Sequence, residues 1–392
     1  MAFDRSRFTT IVILGSTQTL AWASSYYLPA VLADPIARDT GISTNWLFGI
    51  FSGALIISAL LGPQMGRMID AGGGNRVLAG SNLLFALGLA LLGLSHSVPM
   101  LVAAWLALGI AMGFGLYDAA FAALGRIYGT NARGAITGIT LIAGFASTVG
   151  WPLTAWGAAE IGWRETCFAW AALHVVVGLP LNYWCLPRPT VTTEDKKAMH
   201  QPVPIDRAMV LLGFAFAAAW IVTAGMAAHF PRILEATGAS HAQAIAAGAL
   251  IGPAQVGARM LEASFLARFH PLVSARLATL THPIGVAVIL AAGGGVAASA
   301  FAVLHGSGNG IITIARGTLP LALFGPINYG YRLGILGMPA RFLSAAAPLG
   351  FALLIDHLGG KVLLVSAALS LSACAALCLL RRPNAAAALH AD

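Results

Sequence analysis

The sequence predicts an all-α membrane protein of twelve transmembrane helices in two six-helix bundles. Three observations carry that prediction: the scarcity of charge, the length of the apolar blocks, and a repeat at half the chain length. Hydrophobic residues make up 58% of the 392 and charged residues 9%, where a soluble chain carries roughly a quarter charged. The mean hydropathy is +0.81. A water-facing surface cannot be assembled from such a composition. The apolar residues fall in blocks of about 18–25, the length that crosses roughly 30 Å of hydrocarbon as a helix. Backbone polar groups in lipid must pair within the chain, which leaves helices or closed barrels. The blocks are too long for barrel strands and show no alternation of period two.

In order along the chain, the apolar blocks place helices near 9–33, 45–68, 76–95, 99–124, 135–159, 165–186, 207–231, 242–266, 275–293, 295–318, 333–355 and 361–380. The break near Gly293–Gly295 carries no charge, and only its glycines separate two helices. The longest polar stretch, Pro187 to Arg207 with Glu194, Asp195, Lys196 and Lys197, divides the chain into bundles 1–186 and 207–392 joined by a cytoplasmic linker at 187–206. The apolar run after Met1–Arg7 continues past signal-peptide length, so it reads as a first membrane helix.

Basic residues orient the helices. With both termini cytoplasmic, the inner segments hold Arg5, Arg7, Arg67, Arg76, Arg126, Arg133, Arg188, Lys196, Lys197, Arg207, Arg259, Arg268, Arg276, Arg316, Arg332, Arg381 and Arg382. The outer loops hold Arg38, Arg164, Arg232 and Lys361. That bias of 17 to 4, with Arg341 left inside a helix, would vanish if one helix were miscounted. The net charge of +8 therefore reflects membrane orientation, not a nucleic-acid partner. Cys167, Cys185, Cys374 and Cys378 lie in apolar helices and read as small packing residues. Gly72–Gly74 and Gly306–Gly310 lack the Lys-Ser/Thr of a phosphate loop, and read as a tight turn and a close helix approach. No metal cluster, cofactor motif or nucleophile–base set stands out, so no enzyme is expected.

Three segments recur about 190 to 197 residues apart. Leu61-Gly62-Pro63-Gln64-Met65-Gly66-Arg67-Met68-Ile69-Asp70 returns as Ile251-Gly252-Pro253-Ala254-Gln255-Val256-Gly257-Ala258-Arg259-Met260-Leu261-Glu262. Thr40-Gly41-Ile42-Ser43 returns as Thr237-Gly238-Ala239-Ser240, and Glu160-Ile161-Gly162 as Asp356-His357-Leu358-Gly359. Three matches in register indicate a six-helix unit used twice.

Two parallel six-helix halves, with a Gly-Arg-Asp element between helices two and three, resemble the major facilitator superfamily over essentially the whole chain. Gly62 and Arg67 match that family's loop motif, Gly66 stands where an Asp is usual, and Asp70 and Arg76 supply charge later. This variant is most similar to the bacterial oxalate/monocarboxylate-porter-like branch. Trp105, four residues before Gly109, takes the place where many proton-coupled members have Arg, and Gly144 to Pro152 echo the Gly-Pro antiporter motif only in part. The resemblance implies that the first, fourth, seventh and tenth helices line a central cavity. It makes Gly62, Gly66, Arg67, Asp70 and Arg76, with Arg259 and Glu262 in the second copy, the gating elements.

Ionisable groups inside a membrane helix cost at least ~2.5–3.5 kcal/mol each on insertion scales, so the few present need a reason. Asp118 is the one acidic residue that the sequence places well inside an apolar block. It reads as a proton carrier or substrate ligand, or as half of a structural ion pair. Arg341 is the natural fixed charge for a carboxylate, or else the partner that closes a pair with Asp118. Gln18, Trp22, Ser25 and Tyr26 share one face of the first helix, with Tyr117 before Asp118. They read as a cavity wall, while Tyr26 and Tyr27 also suit an interfacial belt. His305, Asn309 and Arg316 form a stripe on the tenth helix. His305 is a second proton carrier and Asn309 a substrate contact, whereas His174 and His282 read as packing histidines.

These residues and the resemblance point to a secondary transporter of the inner (cytoplasmic) membrane. It would move a small organic anion with proton coupling by alternating access, as a monomer, with lipid and small solutes as its partners. One alternative is an exporter of a toxic drug or metalloid on the same fold. Another is a non-transporting receptor or scaffold, which the short tails disfavour.

Overall fold

The computed structural model describes residues 5–188 and 202–380. Among the described residues every regular element is helical: α1 (Arg5–Ser24), α2 (Pro29–Thr40), α3 (Thr44–Gly72), α4 (Gly74–Gly93), α5 (Val98–Gly115), α6 (Tyr117–Tyr128), α7 (Arg133–Ala143), α8 (Ala146–Glu160), α9 (Trp163–Leu173), α10 (Leu179–Trp184), α11 (Arg207–Glu235), α12 (His241–Ala249), α13 (Ile251–Ser264), α14 (Pro271–Ala292), α15 (Gly294–Phe324), α16 (Tyr329–Leu358) and α17 (Val362–Leu379). Most of the predicted linker, including Lys196 and Lys197, lies outside the described residues, as do Arg381 and Arg382.

Eight helical stretches among the described residues are long and apolar enough to cross a membrane. Two of them, Val98–Glu160 with 63 residues and Tyr329–Leu379 with 51, contain more than one helix. At ~1.5 Å per residue each is more than twice the ~30 Å hydrocarbon thickness, so each holds more than one crossing. Outside the eight stand α1 and α15, the two helices on which the sequence puts polar stripes.

The repeated Thr-Gly-x-Ser segment turns out to be helix punctuation, whereas the Gly-Pro segment lies inside α3 and α13. Gly41 at φ +71° and Gly238 at φ +94° sit in the left-handed region after α2 and α11, where a side chain would be strained. The serines that follow cap the next helix. Ser43 Oγ accepts from the Trp46 amide, and Ser240 forms a reciprocal capping box with Gln243. Gly293 at φ +61° and Gly294 at φ +72° make the predicted uncharged break between α14 and α15. The structure also divides four predicted spans. Breaks fall after Ser24, at Leu116, around Gly144–Phe145 and at Leu250, where turns or local caps end one helix and start the next.

The chain forms two compact units. The first contains residues up to Pro202 together with Pro326–Ala345, and the second runs from Val203 to Gly325 and from Ala346 onward. Its division between Pro202 and Val203 falls within the predicted linker, but the first part of α16 belongs to the first unit. The core of the first unit is built on Leu32, Leu47, Phe85, Leu89, Trp105 and Leu108. That of the second is built on Met226, Phe230, Ile289, Phe301, Phe351 and Leu363.

Small residues explain how α16 is seated in the first unit. A Cβ at Gly66 would fall on the Gly330 carbonyl, and one at Gly334 on the Gly62 backbone, so α3 and α16 meet backbone to backbone. Gly125 of α6 makes room for the Tyr329 ring. Asp70 accepts hydrogen bonds from the Gly330 and Tyr331 amides, both 2.9 Å, and so caps α16 with a negative charge at its positive end. The sequence placed Asp70 in a loop; α3 extends to Gly72, and Asp70 is buried inside that helix. Glu262 of α13 is buried too, so Asp118 is not alone as a helix-borne carboxylate.

Gly66→Ala is expected to lower the apparent melting temperature in detergent through overpacking of about 1–3 kcal/mol. Gly49→Ala, where a Cβ meets open space, should leave it unchanged.

Candidate functional site

The fourth predicted crossing is broken where its chemistry lies. Leu116 adopts φ −86°, ψ −170° between α5 and α6. Its carbonyl accepts from the Ala119 and Ala120 amides, so the Gly115 carbonyl loses its usual partner four residues on. Gln18 of α1 replaces it, its Nε2 donating at 2.6 Å. Asp118 therefore enters the first turn of a new helix, where the partial positive charge of the α6 N-terminus favours a carboxylate.

Arg341 of α16 pairs with Asp118, Nη2 to Oδ2, inside the first unit. Its Nη1 donates to the Ser58 carbonyl at 2.9 Å. Gly62 lies against the backbone of Gly334, two turns before Arg341 on α16. The Asp118 side chain is 2% exposed and that of Arg341 19%, so the charges are largely withdrawn from water and each depends on the other. The structure thus realises the pairing alternative. A guanidinium with two partners already in place can still exchange one carboxylate for another, because its fork accepts either.

Beside the pair stands an aromatic cluster. Trp22 lies 5.0 Å from Tyr117, 5.1 Å from Tyr26 and 5.9 Å from Tyr27, centroid to centroid. Tyr117 stacks on Phe121, and Tyr26 meets Phe51, which leads on to Trp105. Gln18 and Trp22 share a face of α1, whereas α1 ends at Ser24, so Ser25 and Tyr26 lie in the turn that follows and Tyr26 reaches the cluster from there. Two buried polar atoms of α1, Gln18 Oε1 and Trp22 Nε1, have no hydrogen-bond partner. They place an acceptor and a donor on one face of α1.

In the second unit the α15 stripe lines two adjoining cavities. His305, Asn309, Thr223, Thr279, His282 and Ser370 contribute to one of about 30 Å³. Asn309, Thr223, Trp220 and Arg316 contribute to one of about 10 Å³. Thr223 Oγ1 donates to Asn309 Oδ1 at 3.3 Å, and the Arg316 guanidinium lies over the Trp220 ring at 5.0 Å. His174, in a π-helical turn of the first unit, is held by Ser24 and Asn82 and stacks on Phe85, as expected of a packing histidine. His282 is satisfied too, by His305 and Ser366, and unlike His174 it lines a cavity. Sequence spacing could not find this contact, because 23 residues and a turn separate the two histidines.

Of the gating residues, Gly62, Gly66 and Asp70 meet α16, and Arg67 lies over the Tyr331 ring at 4.2 Å. Arg76 is exposed at the start of α4. Arg259 and Glu262 are buried on α13.

A polytopic helical chain with a charged pair and polar helix faces buried in its units is the architecture of a membrane transporter. The sequence profile of the Major Facilitator Superfamily matches residues 14–326, and the chain belongs to that family of transport proteins. Among solved structures it is similar to the human organic anion transporter MFSD10 (TETRAN), with a TM-score of 0.71. The match covers 96% of this chain and 100% of that one at 17% identity, a likeness of fold. No curated protein sequence matches it. These findings support the superfamily and not the oxalate/monocarboxylate branch.

Removing one member of a buried ion pair leaves the other uncompensated, at a cost of about 3–5 kcal/mol. Asp118→Asn and Arg341→Gln should each lower the melting temperature. The double substitution should recover most of the loss, measured as a thermal-unfolding cycle.

Proposed function

We propose that this protein is a secondary active transporter that carries a small organic anion across the cytoplasmic membrane by alternating access, coupled to protons. The observation that carries the proposal is the Asp118–Arg341 pair, held among polar and aromatic side chains with an open donor and acceptor. A substrate carboxylate takes the place of Asp118 on Arg341, and the displaced Asp118 takes a proton. Within the first unit Gln18 and Trp22 supply hydrogen bonds and Tyr26 and Tyr117 an aromatic wall; within the second, Asn309 is a substrate contact and His305 a proton carrier. Exchange at Arg341 is transmitted along α16 to its N-terminal seat on Gly62, Gly66 and Asp70. Release of that seat is the alternating step.

Supporting the reading are the family and the described activity of the human organic anion transporter that shares the fold. The sequence supports twelve crossings, cytoplasmic termini, and halves 1–186 and 207–392 with a linker at 187–206, acting as a monomer in the inner membrane. Arg76, Arg259 and Glu262 belong to the gating elements of the two halves. A second reading, export of an amphipathic drug, draws on the cluster of Trp22, Tyr26, Tyr27, Tyr117 and Phe51.

The test is uptake of radiolabelled carboxylates into proteoliposomes under an imposed pH gradient. Saturable uptake that responds to the gradient is expected. Arg341→Lys, which keeps the charge but loses the fork, should lower it by roughly tenfold, the equivalent of about 1.4 kcal/mol. Unchanged transport and carboxylate competition in Arg341→Ala would refute the anion reading. Movement of lipophilic cations alone would favour export.

A further inference from the structure

The histidine pair of the second unit has a wiring that fits its hydrogen bonds. His305 Nδ1 and His282 Nδ1 are 3.0 Å apart, and His282 Nε2 is 2.9 Å from Ser366 Oγ. Ser366 Oγ also lies 2.9 Å from the Leu363 carbonyl, and the wiring inferred below gives that carbonyl the single hydroxyl proton of Ser366. Ser366 Oγ then accepts, and His282 Nε2 carries the proton it receives. A neutral imidazole has only one N–H, so His282 Nδ1 presents a lone pair. His305 Nδ1 must then donate across the 3.0 Å gap, which leaves His305 Nε2 as an acceptor. Both rings are buried, and both residues line the cavity of about 30 Å³. Phe301 and Phe230 pack against them and hold their planes.

We infer that His305 and His282 form a binding site for one proton, taken from the cavity at His305 Nε2. The lone pair there becomes an N–H, no other bond changes, and the charge is shared along the Nδ1–H···Nδ1 bond toward His282. The site takes one proton and no more. The Nδ1···Nδ1 bond needs one lone pair, and two imidazolium rings with centroids 5.0 Å apart would repel in a nonpolar setting. The groups that face the pair are uncharged: Val222, Thr223 and Phe230 from α11, Thr279 from α14, and Ser366 and Ser370 from α17. The charged groups on the adjoining helices are placed elsewhere. Arg276 binds the Leu377 and Leu380 carbonyls, Arg316 stacks on Trp220, and Arg259 and Glu262 lie buried on α13. His229 of α11 bonds to the Pro348 carbonyl.

Proton uptake reverses the polarity of the cavity wall. A neutral His305 offers an acceptor, while the charged form offers a donor and a positive charge on the stripe that continues through Asn309 to Arg316. On the transport reading proposed above, this couples one proton to one anion. The site itself does not depend on that reading.

The deciding experiment is ¹⁵N solid-state NMR of the full chain, labelled at histidine and held in lipid nanodiscs. Among the 10 histidines, His174 and His241, whose Nδ1 faces Asn82 Oδ1 and Glu235 Oε1, should also show the Nδ1–H tautomer at about pH 8, and the one further Nδ1–H resonance should vanish in His305→Gln. In His282→Leu it should convert to the Nε2–H form, whereas His282→Gln, whose amide oxygen can accept, should keep it. On progressive acidification the pair should give a single imidazolium, distributed over both rings. An Nε2–H tautomer for His305 in the wild-type protein, or two separate imidazolium signals from the pair, would overturn the proposal whatever solute is carried. If the NMR outcome stands while carboxylates are not transported, the anion reading fails and the proton site survives.

Discussion

A membrane-embedded charge tolerates no idle placement, and the first unit is organised around one such charge. Arg341 is held by the Asp118 carboxylate and the Ser58 carbonyl. Three features of the backbone make this possible. The break at Leu116 brings Asp118 to a helix N-terminus, Gly66 meets the Gly330 carbonyl, and Gly334 meets the Gly62 backbone, so that α3 and α16 bring the partners within reach. Each feature alone weakens a helix or removes side-chain packing. Together they let two costly charges compensate each other where water is scarce. The pair is also open to competition, because a carboxylate on a small solute offers the same two oxygens that Asp118 offers.

Around that pair the helices have different tasks. The first helix lends Gln18 to the carbonyl that the break at Leu116 releases, and its Trp22 stands against Tyr117. The same helix thus stabilises the break and presents its unmatched polar atoms beside it. At the other end of the seat, Asp70 caps α16 through two backbone amides, so a motif carboxylate acts on a helix terminus. The second unit lines its cavities with neutral groups and Arg316. Its polar stripe is imidazole, amide and hydroxyl, with Arg316 stacked on an indole.

Much of this was legible in the sequence. Helix positions followed from apolar block length, and the repeat marked helix ends because a left-handed glycine followed by a capping serine leaves a local signature. Asp118, Arg341, Gln18, Trp22 and His305 stood out because polar residues in apolar blocks are conspicuous. What escaped depended on distance in the chain or on local backbone choice. His282 looked like a packing residue, since its partners His305 and Ser366 lie on other helices. The break at Leu116 has no proline to announce it; flanking glycines permit it and the Gln18 bond supports it. Asp70 resembled a loop residue because the extra turn of α3 is stabilised by its contact with α16, 260 residues away.

The central claim is that an organic anion displaces Asp118 from Arg341. Infrared difference spectroscopy of the membrane-reconstituted protein tests it directly, by comparing the carboxylate stretch before and after addition of a transported carboxylate. The account expects a band shift from an internal carboxylate that disappears in Asp118→Asn, moving toward the protonated-acid region as substrate saturates. Saturable binding with no change in the Asp118 band would contradict it, and would leave the pair as a fixed structural clasp.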